Sequence, residues 1–251
     1  MAKTAHILCI AAGHGAGQYA PPVGFNAVKG DVADTVKGDL WIGHRPMLET
    51  LRPVESGDGV LKTFQKIMEG ECSLSEAIEA IAPTTSRIAY PAMLQVIPHY
   101  LLRNRGRYLR YLRTTTGGDA RLHGRISIGI GGHVDLADVI VGEDGSIDLM
   151  ATVLAGGRRE SMEEVKFAIA PDRFNWVGTL YATDEEVDTV HLGLVAVCDL
   201  TDEEADALDA NHEIGDMAFL TFSEIKAEVA ADDGKRLETW ARLIIESNPL
   251  G

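Results

Sequence analysis

The stretch RRESMEE at residues 158–164 decides which fold and which chemistry this chain can support. In a helix of 3.6 residues per turn, Glu160, Glu163 and Glu164 are spaced at i, i+3 and i+4, so they share one side. Three carboxylates on one helix face repel one another unless they are protonated or bind a cation. Because oxygen ligands favour a hard ion, the spacing predicts a Mg²⁺ or Mn²⁺ site on this face.

Glycines around this helix distinguish it from an ordinary acidic surface. A solvated acidic face, with Arg158 and Arg159 as ion-pair partners, is common and explains the glutamates alone. It does not explain Gly156 and Gly157, which lie one turn earlier on the same stripe and cost about 1 kcal/mol each relative to alanine. We expect them to allow close approach of another backbone, namely SIGIGGH at residues 127–133, where a strand ends in a glycine pair.

Residues 159–164 resemble the core R-E-U-x-E-E of the Nudix box, G-x5-E-x7-R-E-U-x-E-E-x-G-U, in which U is apolar. Gly131 and Gly132 resemble the glycines that open the box, and residues 94–100 and 190–193 are similar to its flanking strands. The resemblance covers about residues 87–248. It implies an α+β fold, in which a mixed β-sheet is sandwiched between helices. Residues 87–251 would form the hydrolase domain, and residues 1–86 an N-terminal extension or small domain.

Three departures from the box affect what the resemblance implies. Arg159 follows Gly132 by 27 residues instead of 14, so about 13 residues are inserted, which we place at Asp135–Ser146. Ala151 replaces a glutamate that more often braces the loop than binds metal, so its loss bears on efficiency more than on mechanism. Ser161 stands at an apolar position, and Lys166 stands where the box has its closing glycine.

The resemblance also implies roles for individual residues. Glu160, Glu163 and Glu164 would ligate Mg²⁺ or Mn²⁺, with a backbone carbonyl of Gly131 or Gly132 completing the coordination. Glu160 would also be a catalytic base, and Arg159 would orient a glutamate. The implied reaction is the hydrolysis of a diphosphate linkage in a nucleoside diphosphate derivative by metal-activated water.

Several residues beside the predicted site are candidates for contact with the substrate. Arg121 and Arg125 would meet phosphates, with ordinary strand-edge charge as the alternative. His133 is a third candidate, and a structural histidine is its alternative, as it is for His191. The acidic loop at residues 184–186 could supply a base, but a solvated turn is the simpler interpretation.

Two other functions stay open. One is a catalytically weak Nudix-fold protein that binds a nucleotide and regulates another process, because a fold does not imply a function. The other is a different metal-dependent phosphoesterase, which would cleave monoesters and leave diphosphates intact.

The composition limits the classes of partner that this chain can bind. The chain has 251 residues, with 23 Lys and Arg against 38 Asp and Glu, and its net charge of −15 argues against a nucleic-acid polymer. Its longest apolar stretches are too short to span a membrane. Three well-separated cysteines, Cys9, Cys72 and Cys198, fit a reducing compartment, so we expect a cytoplasmic protein that acts on a small nucleotide. A homodimer is left open.

The remaining patterns predict further elements. Strands are predicted at 5–12, 94–103, 107–113, 125–130, 176–181, 190–198 and 218–222. Helices are predicted at 61–69, 73–81, 149–167, 223–230 and 234–247, the third of them capped by Asp148 or Ser146. A GHGAG segment at 13–17 is predicted to be a surface turn rather than a phosphate loop.

Overall fold

The computed structural model describes residues 6–12, 19–29, 31–37, 40–44, 92–116, 122–185 and 187–247. Its strands are β1 (His6–Ala12), β2 (Gly24–Ala27), β3 (Leu40–His44), β4 (Ala92–Asn104), β5 (Arg107–Arg113), β6 (Ile126–Ser127), β7 (Ile130–Gly131), β8 (Asn175–Tyr181), β9 (His191–Asp199) and β10 (Ile214–Leu220). Its helices are α1 (Leu149–Glu164), α2 (Asp202–Asp206), α3 (Phe222–Val229) and α4 (Thr239–Ser247). The helices predicted at 61–69 and 73–81, the turn at 13–17 and Arg121 lie outside the described residues.

The strands form one mixed sheet in the order β10-β5-β4-β9-β8-β2. β4 and β9 run parallel, from Gln95 beside His191 to Arg103 beside Asp199. The other strand pairs in the described ranges are antiparallel, including the β4–β5 hairpin, whose turn contains Arg105 and Gly106 at positive φ. The parallel pair places the starts of β4 and β9 at the same end of the sheet.

Helices cover both faces of this sheet. Successive residues of β4 point to opposite sides, as the two-residue period of a strand requires. Leu101 packs in a cluster with residues of α3 and α4. Val96 packs in a cluster with Val153 of α1, and Tyr100 and Leu102 join a third cluster with Val165, the residue that caps the end of α1. The prediction of an α+β fold with a mixed sheet between helices is therefore confirmed.

The described N-terminal strands belong to the same sheet. β1 pairs with β3 and with β4, and β2 pairs with the edge of β8. Leu8 and Ile10 of β1 are buried in one cluster with Leu94 and Val96 of β4. The boundary expected between residues 86 and 87 lies outside the described residues, and the division of the chain there stays a prediction.

The strand predicted at 125–130 is divided into two short strands. β6 pairs with β5, whereas β7 pairs with β4, so the chain crosses from one strand to its neighbour. Gly129 lies at the crossing, where a Cβ atom would overlap the ring of His99. Tyr111 secures the crossing by donating a hydrogen bond of 2.7 Å from its hydroxyl to the Gly129 carbonyl.

Several predicted boundaries are wrong by a few residues. The helix at 149–167 begins as predicted, with the Asp148 side chain accepting from the Ala151 N–H, but it ends at Glu164 because Lys166 adopts positive φ. The strand at 218–222 is β10, which spans 214–220. Within the described residues, no helix is both long and apolar enough to cross a membrane.

The last helix begins at Thr239 instead of residue 234 because the preceding residues bond to β6. The Ile126 N–H donates to the Arg236 carbonyl, and the Glu238 N–H donates to the Ile126 carbonyl. These tertiary hydrogen bonds take the backbone groups that a longer helix would have used.

Candidate active site

Helix α1 directs its glutamates to two environments. Glu160 and Glu164 are buried, with 5% and 6% exposure, whereas the Glu163 side chain is 47% exposed. Arg159 connects Glu160 to Glu163, since its Nη1 lies 2.9 Å from Oε1 of Glu160 and 3.2 Å from Oε1 of Glu163. The three carboxylates are therefore neighbours, but only two of them point inward.

The Gly131–Gly132 segment lies directly against this helix. A Cβ atom on Gly132 would lie 2.5 Å from Oε1 and 2.6 Å from Oε2 of Glu160. A Cβ atom on Gly131 would overlap the carbonyl oxygen of Pro98 in β4. Glycine at both positions allows the segment to fit between the sheet and the Glu160 carboxylate.

The two helix glycines have different neighbours. A Cβ atom on Gly156 would lie 3.0 Å from Cγ2 of Val134, so this glycine faces a residue just beyond the predicted 127–133 segment. A Cβ atom on Gly157 would lie 3.3 Å from Cβ of Pro98, so its neighbour is strand β4 instead. The Tyr100 hydroxyl donates to the Gly157 carbonyl at 2.8 Å.

Glu164 is a buried acid in a costly environment. Burial raises its pKa to about 8, while Arg113 acts to lower it and Glu160 to raise it further. Its Oε2 atom is buried and has no hydrogen-bond partner. A carboxylate in this position is stabilised by keeping its proton or by gaining a cation.

A buried ion pair lies behind Glu164. Arg113 Nε is 2.7 Å from Oε1 of Glu238, and the Ser127 hydroxyl donates to Oε2 of the same carboxylate at 2.6 Å. Glu238 immediately precedes α4, so this network ties β5 and β6 to the last helix. The sequence did not predict it, because the partners are separated by more than 100 residues.

Asp138 is another residue of the site that the sequence did not predict. Its carboxylate accepts from Nε of Arg159 at 3.1 Å and from Nη2 at 2.9 Å, and Nη2 also donates to the His133 carbonyl at 2.7 Å. Asp138 also accepts from the Asp135 N–H, and this D-x-x-D spacing was the available signal. The inserted segment thus contributes the carboxylate that anchors Arg159.

Two of the candidate substrate contacts, Arg125 and His133, already bond to neighbouring side chains. Arg125 pairs with Glu185 at 2.8 Å, and Asp184 pairs with Arg242 at 2.7 Å, so these two acids of the 184–186 loop hold ion pairs. His133 Nε2 lies 2.8 Å from Oε1 of Gln95. Asp184 and Glu185 are therefore better explained as structural ion-pair partners than as the source of a base.

The residues around α1 fit a hard cation by their chemistry. Across the described ranges, no three side chains of His, Cys, Asp or Glu are arranged as a ready ligand set. However, Glu164 presents an unpartnered buried oxygen, and Glu160 lies against the backbone of Gly132. Carboxylate and carbonyl oxygens are the ligands that Mg²⁺ and Mn²⁺ prefer.

Comparison with known proteins identifies the fold. No protein-family model matches the sequence. YmaB of Bacillus subtilis (strain 168) is 24% identical over 157 residues, which is 62% of this chain and 71% of YmaB. The crystal structure of Tm1382, a candidate Nudix hydrolase, superposes with a TM-score of 0.56 over 97% of this chain and 98% of that one, at 17% identity.

The chain has the Nudix fold. The MutT protein from Methanosarcina mazei Go1 is also similar, at 18% identity over 61% of this chain and 91% of that one, but its TM-score is only 0.38. Within the Nudix fold, α1 is the helix that carries RESMEE, and Gly131–Gly132 precede it. The residues between them contain a 3-10 turn at Leu136–Asp138 and a bridge between Val141 and Ile147.

Proposed function

We propose that this protein is a Mg²⁺- or Mn²⁺-dependent hydrolase that cleaves a diphosphate linkage in a nucleoside diphosphate derivative. The observation that carries the proposal is the position of Glu160 and Glu164 on the Nudix helix. Both carboxylates are buried, one against the Gly132 backbone and the other with an unpartnered oxygen. Carboxylates are costly to bury without a compensating charge. Arg159 supplies one to Glu160, and a divalent cation would supply one to Glu164 as well.

Glu160 and Glu164 would hold the cation, together with a backbone carbonyl of Gly131 or Gly132. Glu163, whose side chain is about half exposed, would join them by turning toward the glycine segment. A bound divalent ion would offset charge on the diphosphate oxygens and lower the pKa of a water molecule.

The protein's own side chains would orient the groups that react. Arg159, held by Asp138 and the His133 carbonyl, would keep Glu160 and Glu163 in place. Glu160 would accept a proton from the attacking water as the new O–P bond forms and the bond to the bridging oxygen breaks. The leaving nucleotide would depart with the bridging oxygen.

We assign substrate recognition to the three residues that the sequence predicts for it. Arg121, Arg125 and His133 would contact phosphate or ribose groups. Arg125 would exchange its 2.8 Å ion pair with Glu185 for a phosphate oxygen, which keeps a guanidinium–anion pair in place. The cytoplasm is the proposed location, and it agrees with Cys198 being a buried free thiol.

A second function is favoured by specific features of the same site. Ala151 replaces a glutamate of the box, and the side chains of the described residues form no ready three-ligand set. A protein that binds a nucleotide on this fold and turns it over slowly would show both features. Turnover measurements separate this alternative from an enzyme.

The test is a substrate panel with Mg²⁺ and with Mn²⁺, in which released phosphate and nucleoside monophosphate are measured. The panel contains an ADP-sugar, a dinucleoside polyphosphate and an oxidised nucleoside triphosphate. Glu160→Gln should lower kcat/KM by roughly 100-fold or more. Glu203→Gln, an exposed glutamate on α2, should leave it unchanged. Nucleotide binding without turnover would support the second function instead.

Calorimetry tests the cation site separately from activity. Mg²⁺ or Mn²⁺ binding should weaken in Glu163→Gln and in Glu164→Gln, and should persist in Glu203→Gln. Unchanged binding in the first two variants would show that these carboxylates are not ligands, whatever the activity of the protein.

A further inference from the structure

A second group of ligand atoms lies at the start of β4 and β9, outside the glutamate helix. His191 Nε2 is 3.4 Å from His133 Nε2, which is itself 2.8 Å from Oε1 of Gln95. Gln95 and His191 are direct neighbours across the parallel strands, so the sheet register fixes two of the three side chains. His133 reaches them from the segment that follows β7.

The tautomer of His191 follows from its other contact. Its Nδ1 atom lies 2.7 Å from the carbonyl oxygen of Val187, and a carbonyl oxygen only accepts hydrogen bonds. Nδ1 therefore carries the hydrogen, and in the neutral ring Nε2 presents its lone pair toward His133. A histidine that ligates a metal commonly donates its other N–H to a backbone carbonyl in this way.

The spacing of the two imidazoles suits a shared ion. Zinc binds imidazole nitrogen at 2.0–2.1 Å with tetrahedral angles, which places two nitrogen ligands about 3.3–3.4 Å apart. The observed separation of the two Nε2 atoms is 3.4 Å. Oε1 of Gln95 accepts the hydrogen of His133 Nε2 at 2.8 Å, so an ion shared by these two atoms would take the place of that proton.

Burial and backbone contacts keep this arrangement in place. Gln95 is 1% exposed, and its Nε2 atom has no hydrogen-bond partner, so its amide is held at the imidazoles at a cost. The His133 carbonyl accepts from Arg159, and the next carbonyl, that of Val134, accepts from the Leu8 N–H at 2.8 Å. The ligand atoms are therefore preorganised before any ion arrives.

We propose that His133, His191 and Gln95 form a binding site for a divalent ion of intermediate softness, such as Zn²⁺, Co²⁺ or Cu²⁺. Imidazole nitrogen favours these ions over Mg²⁺, so the site differs in selectivity from the carboxylates of α1. With two nitrogen ligands and one amide oxygen from the protein, at least one coordination position is left for water or an anion. His133 directly follows Gly132 in the chain, and the Gly132 backbone lies against the Glu160 carboxylate.

The experiment uses the full chain after removal of metals with a chelator, and it measures Zn²⁺ binding by calorimetry. His191→Gln and His133→Gln should each weaken binding by roughly 10-fold or more. The control is His212→Gln, which changes an exposed histidine near the end of β5. Equal affinity in the wild type and both site variants overturns the proposal, as does the absence of Zn²⁺ binding in the wild type. Unfolding curves of each variant establish that it is folded.

Two further measurements keep the inference independent of mutant stability and of the hydrolase proposal. One equivalent of Cu²⁺ added to the wild type should give an electron paramagnetic resonance spectrum with coupling to two imidazole nitrogens, and coupling to fewer overturns the proposal. Glu160→Gln should weaken Mn²⁺ binding and leave Zn²⁺ binding intact. A protein that fails to bind Mn²⁺ at the carboxylates can thus be told apart from one that fails to bind Zn²⁺ at the histidines.

Discussion

The carboxylate of Glu160 occupies the space that a side chain on Gly132 would fill. A Cβ atom built there would be 2.5 Å from one carboxylate oxygen and 2.6 Å from the other. The Gly132 backbone is not in the left-handed region, so the steric overlap alone requires glycine. The helix that carries the acids and the Gly131–Gly132 segment that precedes it in the chain are therefore matched in shape.

Gly132→Ala tests this match directly. The added methyl group should displace the Glu160 carboxylate, because the alternative is a shift of the Gly131–Gly132 backbone against β4. We expect a loss of about 1–3 kcal/mol in the free energy of unfolding and weaker Mn²⁺ binding. Gly215→Ala is the control, since its Cβ atom would lie 3.3 Å from the Thr114 methyl group and 3.8 Å from the Leu112 carbonyl oxygen. Equal effects of the two substitutions would contradict the assignment.

Gly157 allows packing and helix propensity to be separated. Its Cβ atom would lie 3.3 Å from Pro98 and 3.5 Å from Tyr100, so alanine nearly fits. Gly157→Ala should be within about 1 kcal/mol of neutral, because the gain in helix propensity offsets the tight contact. Gly157→Leu should destabilise by roughly 1–3 kcal/mol through overpacking. Urea unfolding measures both, and a stabilising leucine would refute the packing explanation.

Asp138 should contribute to stability and to metal binding, although it lies in the inserted segment. Asp138→Asn keeps an acceptor for the Asp135 N–H but removes the charge that holds Arg159. We expect a loss of about 1–3 kcal/mol in stability, together with weaker Mn²⁺ binding. Asp144→Asn, in an exposed turn of the same segment, should change neither quantity. Unfolding curves and calorimetry on the two variants provide the comparison.

Glu164 should give the metal-free protein a distinctive dependence on pH. Burial raises its pKa from the ordinary 4.5 to about 8. Between these values the unfolded chain has lost the proton that the folded state keeps, so stability should fall as the pH rises from about 4.5 to about 8. Glu164→Gln removes this loss and should be more stable than the wild type at pH 8, with the difference shrinking toward pH 5. Glu163→Gln, with an exposed side chain, is the control, and a gap that does not change with pH would exclude the explanation.

The hairpin within the inserted segment should be dispensable for folding. Replacing residues 141–146 with two glycines retains Ile140, whose backbone bonds to Asp148 and Thr152, and retains Asp138. Loop closure depends weakly on length, so stability and Mn²⁺ binding should stay close to the wild type. If the protein is a hydrolase, the ranking of nucleotide substrates should change. Loss of Mn²⁺ binding in a folded variant would show that the hairpin belongs to the site.

Local sequence signals located most of the secondary structure and the helix of the candidate site. Neighbouring residues are enough to predict where a strand or a helix starts. This is why the apolar runs of β4 and β9 and the cap at Asp148 could be recognised in the sequence. Boundaries that depend on distant partners were missed. The late start of α4 and the division of 125–130 both follow from pairing with β5, β6 and β4, which no local pattern reveals.

Local sequence alone was enough to place Glu160, Glu163 and Glu164 together on one helix, because helical spacing is a local property. It was also enough to mark the nearby glycines as unusual, because the cost of glycine in a helix is local too. The tertiary structure decided which acids are buried, which residue anchors Arg159, and that His133 meets His191. These outcomes depend on how β4, β9 and the inserted segment pack around α1. Burial and ion pairing are set by neighbours distant in the chain, and only the folded sheet brings those neighbours together.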